Sequence, residues 1–406
     1  MEQFDLSGTP DLVFGEGSIT RLGERLQSLG ARSVIVVASA TIMGDPELRG
    51  GILRTIAQSG IRTSVYRYDS VPGARDPFEA GHGEFAEASP DVVDAIVADA
   101  GQPPDAVVAI GGGSAIDTGK ALSAAFVEDG SIADYLEGVG SREPSGRKLP
   151  FVAVPTTAGT GSEATKNAVL SRPGPAGFKK SLRHDRFIPD VALIDPLLHL
   201  TCTRTQTAAS GLDAITQLLE AYVSKTANPV TDALALDGLA AAGRSFLGAV
   251  ERGETDPESR AEMAYAAYLS GVCLANAGLG TVHGLAGPAG ALSSVPHGVF
   301  CGTLLPHVVA RTVAAAGSSP DGHGVLAKYA AAGRALAGRS TGSLEDQVAM
   351  LTDRLIELVR VAALPGLSSY GIDAPLARRI AEAGDNKQNP CQFDVEERVA
   401  LMMHAL

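Results

Sequence analysis

Four unbroken runs of aliphatic or β-branched residues, 33–39 (SVIVVAS), 106–110 (AVVAI), 151–154 (FVAV) and 191–194 (VALI), all fall in the first half of the chain. Each has strand length and ends at Ser, Gly, Pro or Asp. Runs with no polar alternation predict strands buried on both faces, as in a parallel sheet covered by helices. Amphipathic segments lie between them, at 18–29 with Ile19, Leu22, Leu26 and Leu29 on helical spacing, and at 91–100. Strand and helix in alternation predict an α/β domain. Beyond about residue 200 the strand-like runs stop. Only 3.6-residue periodicity remains, at 207–224, 230–250, 257–276, 302–316, 344–363 and after Asp394, which predicts an all-helical second domain. The expected division is 1–198 and 199–406, with the junction near Asp195 and Pro196. Stretches 71–90, 128–148 and 171–188 are rich in Gly, Pro or charge and are expected to be surface loops.

The chain has 406 residues, 45% apolar and 19% charged, with no block of like charge. That is a globular composition with ample core. Its 46 Asp and Glu outnumber 33 Lys and Arg, for a net charge of −13. Such a field repels polyphosphate backbones and anionic lipid, so neither nucleic acid nor membrane is expected as a partner. No basic segment followed by an apolar one opens the chain, and no run of about 18 uncharged apolar residues occurs. A soluble, cytoplasmic protein is expected. Cys202, Cys273, Cys301 and Cys391 form no CxxC pair and are read as reduced thiols in or near the core.

Residues 105–121 (DAVVAIGGGSAIDTGKA) run from a buried strand through three glycines into a helix. Glycine lets the backbone approach a ligand, and a helix start offers free N–H groups and a positive dipole end to a pyrophosphate. The spacing departs from GxGxxG, with Gly111, Gly113 and then Ile116 at the third glycine position. A second loop, 155–165 (PTTAGTGSEAT), leaves another buried strand with small residues and hydroxyls. Two such loops at the carboxyl ends of one sheet match where open α/β sheets bind ligands.

In 210–224 (SGLDAITQLLEAYVS), Asp213 and Gln217 are four apart and share a helical face. His283 and His297 follow in a glycine-flanked stretch. Two imidazoles, a carboxylate and a carboxamide oxygen can hold a divalent ion. Spacing alone leaves this ambiguous, and a lone histidine on an apolar face is usually a core or capping group.

These motifs together resemble the iron-containing (group III) alcohol dehydrogenase family. The resemblance is carried in order by FGEGSITRLGERL, GGGSAIDTGKA, PTTAGTGSEAT, KKSL with IPDVALIDP, ASGLDAITQLLEAYVS, HGLAGPAGALSSVPHGVFCGTLLPHV, and Asn389 with Pro390. It spans nearly the whole chain. It implies a Rossmann-like α/β dinucleotide-binding domain and an all-α domain, the fold shared with dehydroquinate synthase, and an active site in the cleft between them. It also implies that Gly111, Gly112, Gly113 and Ser114, with Asp117 on the helix that follows, bind the cofactor. Thr156, Thr157 and Thr160 would line the phosphate and nicotinamide-ribose side, and Lys179 would contact the cofactor. Asp213, Gln217, His283 and His297 would hold Fe2+ or Zn2+, with Asp213, His283 and His297 catalytic. Family members are commonly homodimers or larger homo-oligomers.

Three positions depart from the family pattern. Gln217 replaces a histidine ligand, which weakens the site for a borderline metal. Gly287 replaces a histidine credited with proton relay, so water or the cofactor ribose must serve instead. Ser39 replaces the strand-end Asp that binds the adenosine ribose. It would offer a 2′-phosphate a donor and no negative charge, which admits NADP as well as NAD.

The implied activity is reversible hydride transfer between a nicotinamide cofactor and a small alcohol or aldehyde, with a metal as Lewis acid. The alternatives are a metal-independent reductase of the maleylacetate reductase type and a dehydroquinate-synthase-like lyase that regenerates its NAD within each turnover. Lys166 and Arg183 are candidates for placing positive charge near an anionic substrate.

Overall fold

A computed structural model describes residues 3–71, 87–172, 177–340 and 342–406. The chain forms two compact units. One comprises Gly8–Thr157 and Ser162–Cys202. The other comprises Thr203–Leu406 with Ala158–Gly161 and the described residues ahead of Gly8.

Among the described residues, the first unit contains eight strands: β1 (Asp11–Phe14), β2 (Ser33–Ala38), β3 (Arg62–Arg67), β4 (Ala106–Gly111), β5 (Phe151–Pro155), β6 (Asn167–Arg172), β7 (Phe178–Arg183) and β8 (Val191–Ile194). Its helices are α1 (Leu22–Ser28), α2 (Ala40–Gly44), α3 (Pro46–Gln58), α4 (Pro90–Ala100) and α5 (Gly113–Ala125). Six strands make one parallel sheet in the order β1-β8-β5-β4-β2-β3. Side chains of successive residues leave opposite faces. Ile35, Val37, Val107 and Ala109 pack with Val93 and Ile96 of α4 and Leu122 of α5. Val34, Val36, Val108 and Ile110 pack with Leu22 and Leu26 of α1 and Ile52 and Ile56 of α3. The unbroken apolar runs thus serve two helical layers at once.

The chain leaves β2 toward β3 on one side and β4 toward β5 on the other. The carboxyl ends of β2 and β4 therefore flank the point where strand order reverses, where such sheets open a ligand crevice.

The structure adds strands that the sequence pattern does not announce. β3 (RTSVYR) is an edge strand with three exposed residues, and β1 buries only Val13. Edge strands need no apolar run on both faces. The stretch 171–188, expected to be a loop, instead carries the end of β6 and all of β7, paired antiparallel. Of the expected loop 71–90, residues 72–86 lie outside the described residues.

The second unit is helical: α6 (Arg204–Val223), α7 (Pro229–Arg252), α8 (Pro257–Ala277), α9 (Thr281–Leu292), α10 (His297–Gly317), α11 (His323–Ala337), α12 (Leu344–Ala362), α13 (Ala374–Ala383) and α14 (Val395–Met403). α6 starts at a capping box formed by Thr203 and Gln206. The sequence pattern does not announce α9, which holds three interior glycines, Gly284, Gly287 and Gly290, and Pro288. Its burial at Val282, His283, Leu285 and Ala286 outweighs that poor propensity. α7 and α10 are long and apolar enough to cross a membrane by length and composition. However, 56% and 61% of their most apolar stretches are buried within the fold, so that length is used for packing.

Candidate active site

The glycine turn lies at the sheet's reversal point. An ideal Cβ on Gly111 would stand 2.6 Å from Ala115 Cβ and 3.3 Å from Ser39 Cβ. A Cβ on Gly112 would stand 3.3 Å from Thr157 Cγ2 and Oγ1. α5 begins here with Gly112 as its N-cap and no side-chain cap, so Gly113 and Ser114 open a helix start whose N–H groups suit an anion. Thr156 N–H donates to the Gly111 carbonyl at 2.9 Å, which ties the two loops together. Ser39 follows β2, and its buried Oγ has no hydrogen-bond partner among the described residues. The residues brought together at this edge are Ser39, Gly111, Gly112, Gly113, Ser114, Thr156 and Thr157.

Asp117, Lys179 and Thr160 stand differently. Asp117 turns inward, accepting from Ser162 Oγ and, at 2.9 Å, from Val169 N–H. Burial raises its pKa against the pull of Lys120 and these donors. Lys179 is ion-paired with Glu87. Thr160 belongs with the helical unit, where a Cβ on the neighbouring Gly161, at φ +60°, would stand 2.5 Å from Gly271 Cα. Only glycine permits that approach. Lys166 and Arg183 pair with Asp185 at 2.7 Å and Glu137 at 2.8 Å, so neither brings an uncompensated charge.

In the helical unit, α6 contributes Asp213, α9 His283, and α10 His297 and Cys301. One ligand atom from each lies within 4.8 Å of all the others. Asp213 Oδ1 is 3.2 Å from His283 Nε2 and 3.6 Å from His297 Nε2. Cys301 Sγ is 3.7 Å from both of those nitrogens. Asp213, His283 and Cys301 are buried, while the His297 side chain keeps 31% exposure. Buried carboxylate, imidazole and thiol groups converging from three helices have the donor chemistry of a divalent transition metal site, so the residues fit such an ion. Gln217 is adjacent but presents its other end: Nε2 donates to Asp213 Oδ2 at 3.1 Å, and Oε1 accepts from Ser270 Oγ at 3.0 Å.

Electrostatics in the cluster are coupled. Burial opposes a charged Asp213, but His297 and His283 outweigh it and hold the carboxyl below its ordinary range. Burial likewise opposes an imidazolium at His283, yet Cys301, Asp213 and Glu220 raise its pKa well above the ordinary value. Burial pushes the Cys301 thiol up to about 12. Without a cation the thiol is neutral and the imidazole bridges two carboxylates, because His283 Nδ1 also lies 2.7 Å from Glu220 Oε2.

Sequence reasoning missed Cys301 and Glu220. Cys301 follows His297 by four residues on one helical face, a signal visible in the sequence. Gly287 stands one turn after His283, and a Cβ placed on it meets no atom within 4 Å.

Comparison with known proteins agrees with these features. The profile of the iron-containing alcohol dehydrogenase matches residues 9–196, and that of the Fe-containing alcohol dehydrogenase family C-terminal region matches 207–406. Long-chain-alcohol dehydrogenase 1 of Geobacillus thermodenitrificans (strain NG80-2) is 36% identical over 73% of this chain and 70% of its own. The 1,3-propanediol dehydrogenase of Klebsiella pneumoniae is 31% identical over 97% of this chain and 96% of its own. A crystal structure of 1,3-propanediol oxidoreductase superposes over 100% of both chains with a TM-score of 0.85 and 29% identity. The chain belongs to the iron-containing alcohol dehydrogenase family and is an oxidoreductase acting on CH–OH groups.

Proposed function

We propose that the chain interconverts a small alcohol and its aldehyde with NAD or NADP bound at the glycine turn. We further propose that Asp213, His283 and His297 hold a divalent ion. When bound, that ion supplies Lewis-acid polarisation of the substrate oxygen. Gly111, Gly112 and Gly113 let the backbone reach the pyrophosphate, and Ser114 at the uncapped helix start adds N–H donors. Thr156 and Thr157 hold the neighbouring loop against the turn, and Ser39 Oγ offers a donor to the adenosine ribose or its 2′-phosphate. Asp117 supports the turn from within by fastening α5 to Ser162 and β6. Lys179 and Thr160 complete the cofactor contacts in this reading, Lys179 by exchanging Glu87 for a ligand anion. Gly287 supplies no proton-relay group, so proton exchange falls to water or the cofactor ribose. We place the enzyme in the cytoplasm as a homodimer or larger homo-oligomer.

The observation that carries this reading is the burial of a carboxylate and an imidazole against a second, half-open imidazole. The relatives' names run from methanol to long-chain alcohols, so substrate length is left to experiment. The test follows nicotinamide absorbance with an aldehyde series, using NADH and NADPH separately, before and after chelation. Stoichiometric oxidation, lost on chelation and regained with an added divalent ion, is the expected result. Full activity in verified metal-free protein would favour a metal-independent reductase. Turnover with no net change in nicotinamide would favour a lyase.

A further inference from the structure

We propose that the Cys301 thiolate, and not the Gln217 carboxamide, supplies the fourth protein donor of the centre in the helical unit. The result is an Asp–His–His–Cys set that takes zinc in preference to iron. This rests on the reading that Asp213, His283 and His297 hold a divalent ion, and it fixes the remaining donor and the ion's class.

The spacing is the first argument. Tetrahedral zinc, with bonds of about 2.3 Å to sulfur and about 2.0–2.1 Å to nitrogen or oxygen, sets its donors about 3.6 Å apart for S and N and about 3.3 Å apart for N and O. Cys301 Sγ lies 3.7 Å from each imidazole Nε2, and Asp213 Oδ1 lies 3.2 and 3.6 Å from the same two nitrogens. Four of the six donor separations thus match tetrahedral zinc, and the other two lie within 4.8 Å. His297 and Cys301 are i and i+4 on α10 and so project from one face together.

The second argument concerns Gln217. Its amide nitrogen has no lone pair to give an ion, and that nitrogen is the end facing Asp213. Rotating the amide by half a turn would set its oxygen against the carboxylate oxygen of Asp213 with no proton between them, whereas the Ser270 hydroxyl, whose proton can go to the Ala267 carbonyl at 2.8 Å, can meet either end of the amide. Gln217 is 2% exposed, so no water is at hand to relieve that repulsion. Gln217 is therefore a positioning residue, holding Asp213 Oδ2 so that Oδ1 faces the cluster.

Ligand chemistry then selects the ion. Thiolate is a soft donor that favours zinc, and for a given site zinc already outranks ferrous iron in affinity. Binding releases the thiol proton to solvent, because the ligand must be deprotonated. Zinc also expands from four to five donors, so four protein donors leave the centre open to a substrate.

The test titrates the metal-free full-length protein with Co2+ as the probe. A cobalt–thiolate bond absorbs in the near ultraviolet by sulfur-to-metal charge transfer, which oxygen and nitrogen donors do not produce. Wild type and Gln217→Ala are expected to show this band. Cys301→Ser is expected to lose it while keeping the visible cobalt bands. Given equal zinc and ferrous iron without oxygen, the zinc-to-iron ratio bound should fall by about tenfold or more in Cys301→Ser and hold in Gln217→Ala. Cobalt uptake by wild type with no near-ultraviolet band would overturn the proposal even if the serine variant failed to fold. A band that survives in Cys301→Ser would do the same. No cobalt uptake by wild type would instead remove the divalent-ion reading on which the proposal stands.

Discussion

Nδ1 of His283 lies 2.7 Å from Oε2 of Glu220, and this contact decides which ring nitrogen faces the donor cluster. Glu220 is held in turn by the Val282 N–H, which donates to Oε1 at 2.7 Å. A carboxylate can only accept, so Nδ1 carries the proton and Nε2 is the atom aimed at Asp213 and Cys301. Glu220→Gln keeps the shape but meets one of these two donors with an NH2 group. Metal affinity is expected to fall by roughly 10–100-fold, with the fold retained, in a competition titration against a chromophoric chelator. Unchanged affinity would show that the ring is oriented by something else.

Ser39 reports on cofactor choice. A carboxylate at the end of β2 would accept from ribose hydroxyls and repel a 2′-phosphate. Ser39→Asp is sterically mild, since the residue precedes α2 with extended backbone, and Asp is a good N-cap there. The ratio of kcat/KM for NADH over NADPH should rise by about tenfold or more in the variant. If the ratio does not move, the adenosine ribose does not lie beside Ser39.

The space around Gly287 allows a gain-of-function test. Its backbone is helical, and a Cβ there meets nothing within 4 Å. Replacing a mid-helix glycine with histidine also recovers roughly a few tenths of a kcal/mol of helix propensity. Gly287→His places a titrating group one turn from His283. The kcat is expected to rise, and its pH profile to gain an inflection near ~6.5, the ordinary imidazole value. A profile identical to wild type, in protein with unchanged metal content, would show that proton transfer does not limit turnover.

How much of this was readable beforehand follows from what each residue must satisfy alone. β2, β4, β5 and β8 announce themselves because burial on two faces forces every position to be apolar. β3 and β7 do not, because RTSVYR and FKKSLR each leave residues to solvent. α9 is legible only through its neighbours, since its glycines and Pro288 argue locally against a helix. Within the site, residue type and spacing point to Asp213, Gln217, His283 and His297, whereas Cys301 reads as one more reduced thiol in or near the core. Its four-residue spacing from His297 was the clue available. Glu220 gave no signal, since its role exists only once α6 and α9 are packed.

Buried charge behind the glycine turn predicts an unusual pH dependence of stability. Lys120, fully buried on α5, donates to the carbonyls of Ser162 and Asn167 at 2.8 Å and to Thr165 Oγ1 at 3.0 Å. Burial nevertheless lowers its pKa from 10.5 to about 8, partly offset by Asp117 and Glu163. Glu163, 3% exposed, is raised by burial from 4.5 to about 7. A carboxyl whose folded pKa lies above its unfolded value stabilises below the unfolded pKa, and that stability is lost as pH rises through the folded pKa. Glu163 therefore costs stability between 4.5 and about 7, on the order of 3 kcal/mol at full extent. Lys120 has the opposite sign: the unfolded chain binds more protons between about 8 and 10.5, so its contribution improves with rising pH across that window. The two together place a stability minimum between about 7 and about 8. Glu163→Gln removes the titration on the acid side and withdraws a negative charge from Lys120. Thermal denaturation across pH should show the variant's advantage over wild type growing from pH 4.5 to about 7, and a steeper alkaline rise. Parallel curves for the two proteins would mean that Glu163 titrates at its ordinary value in the folded state.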